Sequence, residues 1–218
     1  MTDSSYQTAG TISGFATSLL FYPLDTYKSR IQSGLYTNKG LYKGCLPELA
    51  SNTFSSFVYW GVYQTSRNNG YTPVQSVCYS SIISNLIDSP LDYIKKHRQL
   101  GYTISTNPST FFRYSLLNCG YSLVYNLTYM SILSSTYTQK DKTSHVSTLI
   151  GCSAVATTVS YPIDYYRTRV ISFPNIQYPP VRMGASSFWK GYFARLLYST
   201  TYSTCYMKIF LILTSYSF

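Results

Sequence analysis

The sequence predicts an all-α membrane protein of six transmembrane helices, built as three tandem two-helix repeats with pseudo-threefold symmetry. Three observations predict it. One pattern is written three times, as Pro23-Leu24-Asp25-Thr26-Tyr27-Lys28, Pro90-Leu91-Asp92-Tyr93-Ile94-Lys95 and Pro162-Ile163-Asp164-Tyr165-Tyr166-Arg167. Each copy puts an acid two residues after a proline and a base three residues after the acid, and together they use three of only seven carboxylates. A repeat of this kind outranks any local propensity. Secondly, only 11% of residues are charged and 17% are aromatic, with 25 Tyr, against about a quarter charged in soluble domains. Thirdly, the cations are one-sided. Lys28, Arg30, Lys39, Lys43, Lys95, Lys96, Arg98, Arg113, Arg167, Arg169, Arg182, Lys190 and Arg195 all follow a motif copy. Only Arg67, Lys140 and Lys142 lie in the alternate connections, with Lys208 inside the last run. That asymmetry fits a chain oriented by its basic loops, so the net charge of +10 does not argue for nucleic acid.

The elements follow in order. Residues 4–24 carry no charge, and Gly10 and Gly14 share one face, which suits close helix approach. Asp25 ends this run. Residues 49–66 form the second run, ended by Arg67 and the turn-forming 68–73. The third, 74–87, is bounded by Asp88 and Pro90. The fourth, 114–139, is followed by the polar turn Lys140-Asp141-Lys142. The fifth is 146–163, and the sixth runs to 218 from a step at Phe188-Trp189-Lys190-Gly191. Several odd-numbered runs are shorter than the roughly 20 residues of a span, and they suffice if helix continues through the proline. The repeats then occupy 1–70, 71–142 and 143–218.

Catalysis and metals find no support. Cys45, Cys78, Cys119, Cys152 and Cys205 are scattered, and His97 and His145 are far apart. No Ser-His-Asp grouping or phosphate loop is present, so no enzyme, catalytic residue, cofactor or metal is expected. Met1-Thr2-Asp3-Ser4-Ser5 resembles neither a transit peptide nor a secretory signal, so any targeting is expected to be internal.

The motif resembles the repeat of the mitochondrial carrier family, Pro-x-Asp/Glu-x-x-Lys/Arg-x-Lys/Arg, followed by a loop helix and an aromatic-basic-Gly step. Repeat one matches with Pro23, Asp25, Lys28, Arg30 and Tyr42-Lys43-Gly44. Repeat three matches with Pro162, Asp164, Arg167, Arg169 and Trp189-Lys190-Gly191. Repeat two has His97 at the second base and Phe112-Arg113-Tyr114 at the step, with Tyr where Gly belongs. The resemblance implies a matrix-side gate of Asp25–Lys95, Asp92–Arg167 and Asp164–Lys28, helix kinks at Pro23, Pro90 and Pro162, and braces at Gln32 and Gln99. Ile171 stands at the third brace position. It further implies alternating-access antiport of a small-molecule solute by a monomer in the mitochondrial inner membrane or another organelle membrane, with lipid (cardiolipin) at the even-helix starts.

The opposite gate looks eroded. Tyr63-Gln64-Thr65-Ser66-Arg67 lacks the family's acid, and the equivalent positions are Ser134 and Tyr137, then Leu211 and Thr214. Looser coupling of import to export is expected from that. Seven residues on from Gly44, Tyr114 and Gly191, where the resemblance implies central substrate contacts, stand Ser51, Tyr121 and Tyr198, with neighbours Asn52, Ser122 and Ser199. Spacing by four along a helix face adds Tyr125 and Tyr202. Four residues after each step lie Glu48, Asn118 and Arg195. Glu48 and Arg195 are expected either to pair or to leave Arg195 for an anionic substrate. Tyr offers a ring face and a hydroxyl, so a nucleotide-like solute is favoured over an amino acid or carboxylate, although Arg182-Met183-Gly184 is not the arginine signature of adenine nucleotide exchangers. A carrier-fold receptor or scaffold without transport is the alternative of another class.

Overall fold

A computed structural model describes residues 3–35, 37, 39–104, 107–136, 146–172, 189 and 191–215. The Lys140-Asp141-Lys142 turn, Tyr137, His145 and the basic segment containing Arg182 lie outside the described residues. The described chain is all-helical, in six helices: α1 (Asp3–Ser33), α2 (Cys45–Asn68), α3 (Pro73–Leu100), α4 (Pro108–Thr136), α5 (Val146–Ser172) and α6 (Tyr192–Ser215). Each packs on its neighbours in chain order, and α6 returns to α1, closing a ring. The odd helices α1, α3 and α5 also touch one another.

Helix continues without a break through Pro23, Pro90 and Pro162 to the ends of α1, α3 and α5. Proline removes one backbone donor and crowds the preceding turn, yet each charged motif stays helical. This gives the odd helices 31, 28 and 27 residues, or about 40–46 Å at ~1.5 Å per residue. The described part of the α1–α2 connection, residues 39–44, is turn rather than helix.

Sequence chemistry explains the joints. The Thr72 side chain accepts from Gln75 N while Gln75 Oε1 accepts from Thr72 N, a reciprocal cap with Pro73 at the first helical position. Asn107 caps α4 with a single bond, its Oδ1 accepting from Ser109 N at 3.0 Å ahead of Pro108. Gly10 and Gly14 let α1 lie on α2: a Cβ at Gly14 would sit 2.6 Å from Ser56 Oγ and 2.9 Å from the Asn52 carbonyl.

The even helices start in two ways. Gly44 and Gly191 both take a left-handed φ, 88° and 85°, immediately before α2 and α6. A Cβ at Gly191 would approach Gln32 Cγ to 2.8 Å, and one at Gly44 the Lys95 carbonyl oxygen to 3.1 Å. Repeat two departs from this. α4 begins at Pro108 and passes through the step, so Tyr114 is an interior helical residue and is fully buried.

Burial is inverted relative to a water-soluble domain. Asp164, Ser29, Thr17 and Ser153 are 0% exposed, whereas Leu20 is 66%, Leu116 65% and Leu86 73% exposed. Ile12, Phe15, Leu19, Phe57, Ile83 and Val159 also face outward. Many inner hydroxyls bond the carbonyl one turn back, as Ser13, Thr17 and Ser18 do in α1. By length and composition one described helix, α5, is apolar enough to cross a membrane. The other helices spread polar residues along their inner stripes, which lowers their mean hydropathy.

Candidate functional site

The C-terminal halves of the odd helices meet in a buried ring of charge. Asp25 lies 2.8 Å from Lys95 of α3, Asp92 lies 3.3 Å from Arg167 of α5, and Asp164 lies 4.0 Å from Lys28 of α1. The three cross-helix pairs implied by the family resemblance are thus all within ion-pair distance. Each acid also meets the base on its own helix, at 2.9 Å for Asp25–Lys28, 3.5 Å for Asp92–Lys95 and 2.8 Å for Asp164–Arg167. The i,i+3 spacing brings acid and base to one side of a helix, and three converging helices then share their charges around the ring.

The ring is not symmetric. Lys95 also pairs with Glu48 of α2, so this single ammonium serves three acids. Lys96 stands where repeats one and three have Ser29 and Thr168. It lies 3.7 Å from Asp25 and donates to Ser29 Oγ at 2.7 Å. The two glutamines sit where expected: Gln99 Nε2 donates to Asp25 Oδ2 at 2.9 Å and Gln32 Nε2 to Asp164 Oδ2 at 3.0 Å. At the third position Ile171 packs with Leu100, Tyr93 and Tyr114 instead. Tyr114 makes good the missing brace, since its hydroxyl donates to Asp92.

The second basic positions serve another purpose. Arg30 forks into backbone carbonyls, donating to Gln99 O at 3.0 Å and to Thr37 O, Lys39 O and Gly40 O at 2.9, 2.7 and 3.1 Å. Arg169 stacks over Tyr165. His97 packs against Tyr93 with the rings tilted by 60°, and a ring nitrogen lies 2.9 Å from Tyr93 O.

Above the ring lie two adjoining cavities, of about 180 and 250 Å³. Asn52, Asp88, Ser122, Tyr125, Tyr202 and Ser203 line both. The one against the ring also takes Tyr121, Tyr198, Ser199 and Arg195. The farther one is walled by Ser55, Tyr59, Asn85, Tyr129 and Tyr206. The stripes spaced by four form ladders of rings: centroids lie 6.0 and 6.1 Å apart along Tyr121, Tyr125 and Tyr129, and 5.5 and 6.3 Å apart along Tyr198, Tyr202 and Tyr206, the first pair of each tilted and the second stacked.

Of the nine candidate substrate contacts, Ser51 alone does not face this space. It is fully buried and donates to Asp88, so its effect on the cavity passes through that acid. Tyr121 and Tyr198 do line the cavity, but their rings already hold cations. Arg167 and Arg195 lie 4.7 and 4.9 Å from the Tyr121 centroid, and Lys28 and Arg195 lie 5.1 and 5.7 Å from that of Tyr198. Glu48 and Arg195 do not pair. Glu48 goes to Lys95, and Arg195 Nε lies 3.5 Å from Asp164 without a hydrogen-bond partner among the described residues. The sequence reading missed Asp88 as a cavity residue, because a lone acid at the end of an apolar run reads as its boundary.

At the far end the contacts are aromatic. Trp60 stacks on Phe210 at 4.1 Å and 16°, and its Nε1 donates to the Tyr206 hydroxyl at 2.7 Å. Arg67 donates to its own turn at Tyr71 O, while Ser134 and Thr214 bond within their own helices. All ion pairs between described residues belong to the ring or to its neighbours Glu48 and Arg195.

No family model matches the chain. It is 32% identical over 103 residues to a mitochondrial carrier-like protein of Acanthamoeba polyphaga mimivirus, 44% of each chain. It is 23% identical over 234 residues to a probable chloroplastic S-adenosylmethionine carrier of Arabidopsis thaliana, covering 87% of this chain and 67% of that one. The matched part therefore spans less than half of the first relative.

Proposed function

We propose that this chain is a solute carrier of the mitochondrial carrier type, moving a small polar metabolite across an organelle inner membrane by alternating access. The observation that carries the reading is the ring itself: three cross-helix ion pairs, each braced by an uncharged donor or a second base, closing one end of a Tyr-, Ser- and Asn-lined cavity. The inverted burial supports a lipid surround, because exposed Leu, Ile and Phe cost nothing in hydrocarbon while many buried hydroxyls bond a carbonyl of their own helix. The two distant relatives, both named as carriers or carrier-like, point the same way. The mitochondrial inner membrane is the membrane the family resemblance favours.

Ionic rings suit a gate because the energy of burying two charges nearly offsets their attraction. Pairing and parting then differ by little, and a bound solute can tip the balance. In the present conformation the ring is made and the cavity lies on its other side. A solute entering there would meet aromatic faces and hydroxyls first, with the charged floor beneath them. At the far end the contact between described residues is aromatic, with Trp60 stacked on Phe210. Apolar contacts that re-form without a counter-charge fit weak coupling between import and export, so uniport is proposed beside exchange.

The test is uptake of labelled metabolites by proteoliposomes carrying the purified chain, with Asp25→Lys as the control. Uptake of one solute class by the wild type, abolished by the substitution, is the expected result. A folded protein that moves no nucleotide, carboxylate or amino acid would turn the reading to a receptor or scaffold.

A further inference from the structure

Four carboxylates line the cavity nearest the ring: Asp25, Glu48, Asp88 and Asp92. Three of them have a Lys or Arg within 4.0 Å. Asp88 has none among the described residues. Its oxygens accept instead from neutral donors, Ser51 Oγ on one and Asn118 Nδ2 at 3.0 Å on the other. These bonds fix the carboxylate in place without cancelling its charge. The position is peculiar to repeat two, since two residues before the other prolines stand Phe21 and Ser160. It is therefore no part of the threefold ring. Asp88 borders both cavities, so whatever occupies them passes beside it.

Arg195 is its counterpart on α6. Its guanidinium lies over the faces of Tyr121 and Tyr198. The nearest described carboxylate, Asp164, is already shared with Arg167 and Lys28, and the buried Nε has no hydrogen-bond partner among the described residues. The cavity thus carries one under-compensated anion and one under-compensated cation, with Tyr125 and Tyr202 along its walls.

We propose that the cavity takes a zwitterionic solute whose ammonium, guanidinium or sulfonium group meets Asp88 and whose anionic group meets Arg195. This rests on the carrier reading for the cavity's purpose, and it narrows the solute to a class. A purely anionic metabolite would leave Asp88 facing it without compensation, which opposes entry in a water-poor space.

The experiment uses the full chain in detergent and in proteoliposomes, with arginine and S-adenosylmethionine as zwitterionic probes and malate and AMP as probes rich in anionic groups. At least one zwitterion is expected to raise the melting temperature and to be taken up. Asp88→Asn should lower its apparent affinity at least about tenfold, as when one partner of a buried charge pair is removed, while Asp88→Glu keeps most of it. Binding of a zwitterion without uptake would uphold the site and overturn the carrier reading. Uptake confined to malate or AMP would do the reverse, and it needs only the wild type. Zwitterion binding unchanged in a folded Asp88→Asn protein overturns the proposal. Anion uptake driven by a pH gradient and lost in that variant also overturns it, in favour of a proton at Asp88.

Discussion

The Tyr114 hydroxyl donates to Asp92 at the position where the sister repeats have a left-handed glycine. Here a side chain supplies what a glutamine supplies to Asp25 and Asp164. Removing the hydroxyl leaves a buried carboxylate with one bond fewer, at a cost of about 1.5–3 kcal/mol for a charged acceptor. Tyr114→Phe should therefore lower the melting temperature, and Tyr114→Gly should lower it further by opening a cavity. Thermal denaturation of the purified protein checks both. Equal melting temperatures for Tyr114→Phe and wild type would remove Tyr114 as a brace.

Exchange of a charge pair is the usual proof of a gate, but the asymmetry of this ring predicts that it fails at Asp25–Lys95. After Asp25→Lys with Lys95→Asp, the new lysine faces Lys28 and Lys96, and the new aspartate faces Glu48 and Asp92. Uptake is expected to be lost in the single variant, which leaves buried charges unpaired, and to stay below about a tenth of wild type in the double, where each swapped charge sits among like charges in a buried site. Recovery to half of wild type would show that the surrounding charges do not couple to this pair.

Glycine at the step is tested by comparison. Gly191→Ala and Gly34→Ala both force a non-glycine residue into left-handed backbone, at about 1 kcal/mol. Only at Gly191 does the added Cβ also meet Gln32. Gly191→Ala should therefore melt lower than Gly34→Ala, and Gln32→Ala should narrow the gap by clearing the space.

The braces themselves give a fourth expectation. Gln99→Ala and Gln32→Ala each remove one hydrogen bond to a buried acid, so each should cost about 1.5–3 kcal/mol. The two acids share Lys28, so the loss in the double variant should exceed either single loss but differ from their sum. A loss in the double no larger than in either single would mean that one brace suffices.

Much of this architecture is legible in the sequence, for reasons that also mark where legibility stops. Asp25, Asp92 and Asp164 stand out because acids are scarce in the chain and recur at one spacing. The cavity stripes stand out because Tyr at intervals of four shares a helix face. Spacing says which side of a helix a residue occupies, but not which of several nearby charges it chooses. Arg195 goes to Asp164 and Glu48 to Lys95, because the ring draws every charge within reach. Ser51 shows the same limit: seven residues from Gly44 point it toward the cavity, yet a small hydroxyl turns to the strongest acceptor, Asp88. The helical start of α4 hides in sequence because the caps that create it, Asn107 and Pro108, lie before the step rather than at it.

The four carbonyls held by Arg30 give the structure an axle. One guanidinium ties the end of α1, the first turn of the following loop and the end of α3 at Gln99. Asp25 and Lys95 lie farther along the same two helices, more than a turn from this tie. Any motion that parts Asp25 from Lys95 while the tie holds cannot slide α1 away from α3. It must swing them about Arg30, so that the two helices open like a hinged pair, with Thr37, Lys39 and Gly40 carried along.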